Sequence, residues 1–272
     1  MNYILLLTGC INPDGMPFTS VTNSAVRRVQ YIQSINYYIY YTNFPIVFVD
    51  NSNTDISDYF KPAIYSNRVE ILTFCGNNNK QRGKGYGEAE IIGYAFKNSQ
   101  IIKSTNSLCT IVKITGRLIV KNITDTINKR FYFQGKNSIV VSFNSDFTLA
   151  DSRVIIAPYS FFITFLENKE QINDFNNKYF EHVLSDSIKQ SKSFCFFPFF
   201  VEPQITGQSG STGENYLPYE NNYKRRINYL IHSITLLLRY NKLNPYNTIG
   251  TLTKSIYTVF LLYLKFIKKI LA

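Results

Sequence analysis

GKGYGEAEIIGYAFKNSQIIKSTNSLCTIVKITGRLIV, running from Gly83 to Val120, places a glycine-rich loop, a helix and a strand in immediate succession. Its apolar spacing predicts a helix from about Gly87 to Asn98 and a buried strand over Cys109–Ile114. Glycines allow close backbone approach, and a helix starting there points free N–H groups at an anion. Lys84, Gly85 and Glu88 are the polar and backbone candidates of that loop. It matches neither GxxxxGK[ST] nor GxGxxG in a strand–turn–helix setting. The strand ends in Lys113-Ile-Thr-Gly-Arg117. Spacing by two puts Lys113, Thr115 and Arg117 on one face of an extended strand. Two cations and a hydroxyl there would clamp a pyrophosphate, with Arg117 making bidentate contacts. The alternative is a strand edge with solvated cations.

Outward from this stretch, strand and helix signals alternate. Tyr3–Leu7 and Pro45–Asp50 are continuous apolar runs, as is Val69–Phe74, and Ser138–Phe143 is a further strand. A helix is expected from about Asn23 to Tyr41, capped by Thr22 or Asn23, with Val26, Val29, Ile32 and Ile35 near helical spacing. A shorter helix is expected over Ile56–Phe60. The alternation predicts an α/β fold with a mainly parallel nucleotide-binding sheet flanked by helices. Such sheets bind ligands at the carboxyl ends of their strands. Those ends carry Thr8-Gly9, Asp50-Asn51-Ser52, Cys75-Gly76-Asn77, Thr115-Gly116-Arg117 and Asn144-Ser145-Asp146.

The second half is less regular. A helix is expected over Asp174–Lys189, and Thr206–Asn222 reads as a mobile loop. Two more helices, Ile227–Tyr240 and Ser255–Leu271, follow, split by Asn244-Pro245-Tyr246-Asn247. The expected division is a catalytic region over 1–202, a linker over 203–224 and a basic helical appendage over 225–272.

The net charge is +11, and nine of those charges lie beyond Glu220, where no Asp or Glu occurs. The partner of that tail should therefore be anionic. In SIYTVFLLYLKFIKKIL, Thr258, Lys265, Lys268 and Lys269 form a narrow polar stripe beside a broad apolar surface. That pattern suits a helix lying in a membrane interface with its lysines at anionic headgroups. A helix docked on the protein's own core, lysines outward, is the alternative. High basicity and many aromatics also fit nucleic acid loosely, but cations interleaved with Leu, Ile and Phe favour lipid. No nucleic-acid partner is expected.

At 272 residues, 45% hydrophobic and 17% charged, the chain can bury a large core and is not a disordered polyelectrolyte. Cys10, Cys75, Cys109 and Cys195 form no CxxC pair, and reduced core thiols of a cytosolic protein are expected. Leu7-Thr8-Gly9-Cys10 looks like a lipoprotein cleavage box. Only nine residues precede the cysteine and none is basic, whereas a secretory leader needs roughly 15–30 with a basic start. It reads instead as the end of a buried first strand. No run reaches the roughly 18–20 apolar residues of a membrane span.

The order of these parts over about Met1 to Gln190 resembles GT-A-type glycosyltransferases, particularly bacterial enzymes of capsule or lipopolysaccharide assembly. The carriers are the TGC strand end, FVDNS, GKGYGEAEIIGYAF, KITGR, SFNSDFTLADSR and YFEHVLSDSI. The resemblance implies a nucleotide-diphosphate sugar as donor, and a glycan or lipid-linked glycan as acceptor at the cytoplasmic face of the membrane. It places Thr8, Gly9, Asp50 and Ser52 around the nucleoside, and Lys84, Lys113 and Arg117 at the diphosphate. Glu181 would be the base for the acceptor hydroxyl, with Asp146 the second choice. Asp151 and Arg153 would orient the sugar or form a local ion pair, and His182 sits beside Glu181.

The departure is the strand end, where relatives carry an acidic Asp-x-Asp for a divalent metal. Here it is cationic. Either side chains neutralise the diphosphate without metal, or Asp146 with Asp151 brings Mg or Mn back. An inactive scaffold of the same fold is the remaining reading.

Overall fold

A computed structural model describes residues 2–106, 108–128, 137–217, 222–244, 247 and 251–270. The first strand, β1 (Asn2–Gly9), leads through α1 (Ser24–Tyr41) to β2 (Ile46–Asp50), then through α2 (Lys61–Tyr65) to β3 (Val69–Thr73). The chain continues with α3 (Lys84–Asn98), α4 (Gln100–Lys103), β4 (Cys109–Thr115), β5 (Ile119–Val120), α5 (Ile123–Asn128) and β6 (Ser138–Val140). After these come β7 (Val154–Pro158), α6 (Tyr159–Glu167), α7 (Phe180–Gln190) and β8 (Cys195–Phe197). The hairpin β9 (Ile205–Gln208) and β10 (Asn215–Tyr216), then α8 (Tyr223–Leu243) and α9 (Thr251–Ile270), complete it.

Seven strands form one sheet in the order β3-β2-β1-β4-β7-β6-β8. The strands β3, β2, β1 and β4 run parallel, whereas β7 is antiparallel to both neighbours. The expected mainly parallel α/β sheet is therefore present. The central strands are buried on both faces, which is why Ile4–Leu7 and Ile46–Val49 are unbroken apolar runs. Thr8 on one face of β1 meets α3, and α1 packs on the other through Tyr31 against Phe48. The helix α6 packs on α3 through Phe96–Phe162, and α7 packs on α6 through Phe165–Phe180.

Asn23 caps α1, accepting from the Ala25 and Val26 amides at 2.9 and 3.1 Å. The buried face of α1 differs from the apolar one expected. Val26 and Val29 are about half exposed, while Arg27, Tyr31, Ser34, Ile35 and Tyr38 point inward. The reason is hydrogen bonding: Ser34 and Tyr38 hydroxyls donate to the Leu118 carbonyl, and Tyr38 accepts the Val120 amide.

Three other expectations are corrected. The segment read as a mobile linker carries the β9–β10 hairpin, which pairs with β5 through Ile119–Thr206 and Val120–Ile205. The helix expected to begin at Asp174 begins at Phe180, because Asp174–Asn176 is a 3-10 turn closed by left-handed Asn177. Cys75 is exposed rather than part of the core, and the four cysteines form no disulfide with one another.

The first helix of the tail also belongs to the core. Ile234, Leu237 and Tyr240 of α8 are buried, and Tyr240 packs on Phe143, Phe147 and Phe196. Tyr257, Leu261 and Leu264 bury one face of α9, and α9 lies along α8. The opposite face exposes Ile256, Val259, Phe260, Tyr263 and Phe266. Of the expected break Asn244–Asn247, residues 245 and 246 lie outside the described residues, as does Leu271, the expected end of the second helix.

Candidate active site

The chain turns from β1 outward to β2 and β3 on one side and to β4 on the other, so the sheet's switch point lies between β1 and β4. Open α/β sheets form their ligand crevice at such a point. Thr8 pairs in register with Thr115, and a cavity of about 360 Å³ opens above them. Gly116 lets the two strand ends close: its amide donates to the Thr8 carbonyl at 2.8 Å, and a Cβ there would lie 2.7 Å from that oxygen.

Four cations line the cavity: Arg27 of α1, Lys84 at the start of α3, Arg117 after β4, and Arg153 before β7, which is paired with Asp151. The Arg27 guanidinium donates to Cys10 O at 2.7 Å, Val21 O at 3.1 Å and the Tyr31 hydroxyl at 3.3 Å. Arg117 Nη1 donates to Gln208 O at 2.7 Å, yet its buried Nε has no partner among the described residues. Asn51 Oδ1 is buried and unpartnered in the same wall. Both atoms are sealed from solvent within the wall, as are polar atoms of Arg68 and Glu90 elsewhere, so the residues' place in the cavity lining is what marks them. Lys84 Nζ bonds Ser211 Oγ, bringing the β9–β10 turn over the crevice.

Lys113 takes a different position from the one expected. The strand β4 ends at Thr115 and Arg117 follows the Gly116 turn, so the alternation that would align them stops. Lys113 is fully buried beneath the cavity, ion-paired with Glu88 and hydrogen-bonded to Ser152 O, with the Phe180 ring 5.6 Å away. Glu88 also accepts from Thr8 Oγ1 at 3.1 Å. Lys113 therefore balances the half-buried Glu88 carboxylate; it does not present an ammonium to a diphosphate.

The glycine loop is likewise occupied from within. Asp174 accepts from the Gly85 amide at 3.1 Å, and a Cβ at Gly85 would lie 2.8 Å from its carboxylate. Burial pushes the Asp174 carboxyl up, opposed by the Gly85 amide and Lys84. The anion at this helix start is the protein's own side chain, and the glycines make room for it.

Asp50 and Ser52 do not line the cavity. Asp50 is fully buried and accepts from the amides of Ile11, Ser52 and Thr54 and from the Ser52 hydroxyl, fixing the loops after β1 and β2. Asp146 is exposed and binds the amide and hydroxyl of Thr148, away from the cavity. His182 accepts from the Tyr179 amide at 3.2 Å and is also outside it.

Thr8, Gly9, Lys84, Glu88, Thr115, Arg117, Asp151, Arg153 and Glu181 do line it. Glu181 accepts from Ser152 Oγ at 2.5 Å, and burial raises its carboxyl above the ordinary range, partly offset by Ser152 and Lys113. Asp151 and Arg153 form a forked ion pair, with the guanidinium 5.0 Å from the Tyr216 ring. The Cys10 thiol is pushed up to about 12, chiefly by burial, and is no nucleophile.

Among the described residues, no group of three or more His, Cys, Asp or Glu could hold a metal ion. Glu88 and Asp151 are each paired with a side-chain cation, and Asp146 lies elsewhere.

Asn51 and Asn77 lie at strand ends expected to form the site, whereas Arg27 and the hairpin residues Gln208–Ser211 and Tyr216 were not anticipated. Arg27 had a signal, a basic residue one turn before Tyr31 on the helix's buried side. The hairpin had none, because its place depends on pairing with a strand about ninety residues away.

No protein-family model matches the chain, and no curated protein matches it. Several solved structures are distantly similar. A cytidylyltransferase from Leptospira borgpetersenii serovar Hardjo-bovis is 14% identical, covers 92% of this chain and 99% of its own, and has a TM-score of 0.42. The bifunctional glycosyltransferase WbbM is 9% identical with a TM-score of 0.39; the match covers 74% of this chain but 39% of WbbM. S. aureus TarS 1-349 is 8% identical, with 91% and 70% covered and a TM-score of 0.37. The sheet order and the crevice, rather than these distant likenesses, define the class: an open α/β protein with a cation-lined site at its switch point.

Proposed function

We propose that this protein is a transferase that takes a sugar from a nucleotide-diphosphate donor and passes it to a glycan hydroxyl. The observation that carries the reading is the switch-point cavity, which Arg27, Lys84 and Arg117 line together with Glu181. Three cations suit a diphosphate, and Arg117 offers the planar fork that binds it. Asn51 and Asn77, in the same wall, bring amide groups suited to a nucleoside.

In the proposed step the acceptor oxygen bonds to the anomeric carbon while that carbon's bond to the diphosphate oxygen breaks. The bonding electrons leave with the diphosphate, whose charge Arg117 and its neighbours stabilise without a metal. Glu181 takes the acceptor's proton; its raised carboxyl makes it a stronger base than an exposed glutamate.

The acceptor proposed is lipid-linked, as in surface-polysaccharide assembly, because α9 exposes Val259, Phe260 and Phe266 with Lys265 and Lys269 along one edge. That face matches an anionic membrane surface. No described helix is long and apolar enough to cross a membrane.

Purified protein incubated with UDP-, GDP-, CMP- and ADP-linked sugars, with and without EDTA, should release nucleotide from one of them in both conditions. No release, and no thermal shift with any of the four nucleotides, refutes the reading; release abolished by EDTA refutes its metal-free part.

A further inference from the structure

A second cavity, also of about 360 Å³, lies on the other side of the Asp151–Arg153 ion pair. It shares Asp151, Arg153 and Tyr216 with the cation-lined crevice. Its remaining walls include Phe199, Glu202 and Tyr229.

The chemistry of the two cavities differs. In the second, each carboxylate already has its cation. Asp151 is forked to Arg153, and Glu202 accepts from Arg225 Nε and Nη2 at 2.9 and 2.8 Å. Both pairs are half-buried, and with charges balanced the cavity has no means of attracting a phosphate. A carboxylate held by one guanidinium keeps further lone pairs, directed where hydroxyls can donate. Tyr216 and Tyr229 supply rings with apolar faces and polar tips. Aromatic faces with forked carboxylates suit the C–H faces and equatorial hydroxyls of a neutral sugar ring. The volume falls within the roughly 300–1,000 Å³ of small-molecule sites.

We propose that this second cavity is a binding site for a neutral sugar ring, the acceptor's, with hydroxyls on Asp151 and Glu202 and a ring face on Tyr229. The inference rests on the transferase reading for the word acceptor. The dividing wall supports that role: Ser152, between Asp151 and Arg153, is the residue bonded to Glu181. A sugar hydroxyl directed across the ion pair would emerge beside Glu181, where the proton must go. Asp151 and Arg153 are then positioning residues that separate a charged donor from an uncharged acceptor.

Saturation-transfer NMR on the full chain tests this with methyl glycosides of glucose, galactose, mannose and N-acetylglucosamine, with and without saturating UDP. At least one glycoside should receive saturation, and UDP should not displace it. Its affinity should fall about tenfold, ~1.4 kcal/mol, in Tyr229→Ala and in Glu202→Gln. The UDP thermal shift should be unchanged in both. Glu202→Gln retains a hydrogen-bond acceptor for Arg225, and it decides the matter if Tyr229→Ala does not fold. The proposal is overturned if no glycoside receives saturation, if UDP displaces it, or if affinity is unchanged in the folded variants. Glycoside binding that persists where no nucleotide binds would overturn the donor reading while supporting a sugar site here.

Discussion

Replacing Lys113 with Met separates a structural cation from a ligand-binding one. Lys113 is fully buried, with Glu88 as its ion-pair partner and Ser152 O as a second contact. Methionine keeps most of the volume and removes the charge. Glu88, whose side chain is 21% exposed, then lacks its cation, and Glu181 loses an interaction that opposes its burial. Breaking a buried pair from one side costs about 3–5 kcal/mol, and the partial exposure of Glu88 places this case near the lower value. At roughly 2–4 °C per kcal/mol for a domain near this size, the Tm should fall by about 6–12 °C. Acid that neutralises the stranded carboxyls should shrink the deficit. The double variant Lys113→Met/Glu88→Gln should recover most of the loss, since no unpaired charge remains. Urea and thermal denaturation at neutral pH measure this, with UDP titrations on the folded variants beside them. Arg117→Gln should do the reverse, weakening UDP far more than uridine with a small effect on Tm. The reasoning is refuted if Lys113→Met melts within about 1 kcal/mol of the parent, if the double variant is no more stable than the single, or if Lys113→Met loses UDP affinity as fully as Arg117→Gln.

Glu181→Gln should lower turnover by about 10²–10⁴-fold while leaving nucleotide affinity unchanged. Burial raises this carboxyl in the folded state, so the parent loses stability as pH rises from the unfolded carboxyl value through the folded one. The Gln variant should lack that loss, and denaturation midpoints at pH 4 and pH 7 compare the two. Gly85→Ala should destabilise by about 1–3 kcal/mol, because the new methyl meets Asp174 and the Phe180 amide; Asp174→Ala in the same chain should relieve part of that, as read by urea midpoints. Reversing Lys265, Lys268 and Lys269 to Glu should abolish cosedimentation with anionic vesicles, each lysine contributing about 1 kcal/mol near such a surface. Unchanged cosedimentation refutes the lipid role of α9.

The strands of the central sheet were legible because strands buried on both faces must be continuously apolar, and Ile4–Leu7 and Ile46–Val49 satisfy that requirement locally. The Asn23 cap and the extents of α1, α3 and β4 were similarly written in short-range pattern. The crevice position followed from strand ends alone.

Partners distant in sequence were not legible. A lysine two positions from a threonine looks the same whether it faces solvent or a glutamate of a packed helix; contact with Glu88 and Ser152 O decides that Lys113 is structural. A glycine-rich helix start looks the same whether its amides await a phosphate or hold Asp174, some ninety residues on. Asp50 could have met a ribose, but its lone pairs are taken by Ile11, Ser52 and Thr54. The sequence alone determined which segments form the sheet and which end of it carries polar groups, because those follow from local periodicity. Only the tertiary structure decided which charges remain available to a ligand, because a charge's role depends on the partner that folding brings beside it.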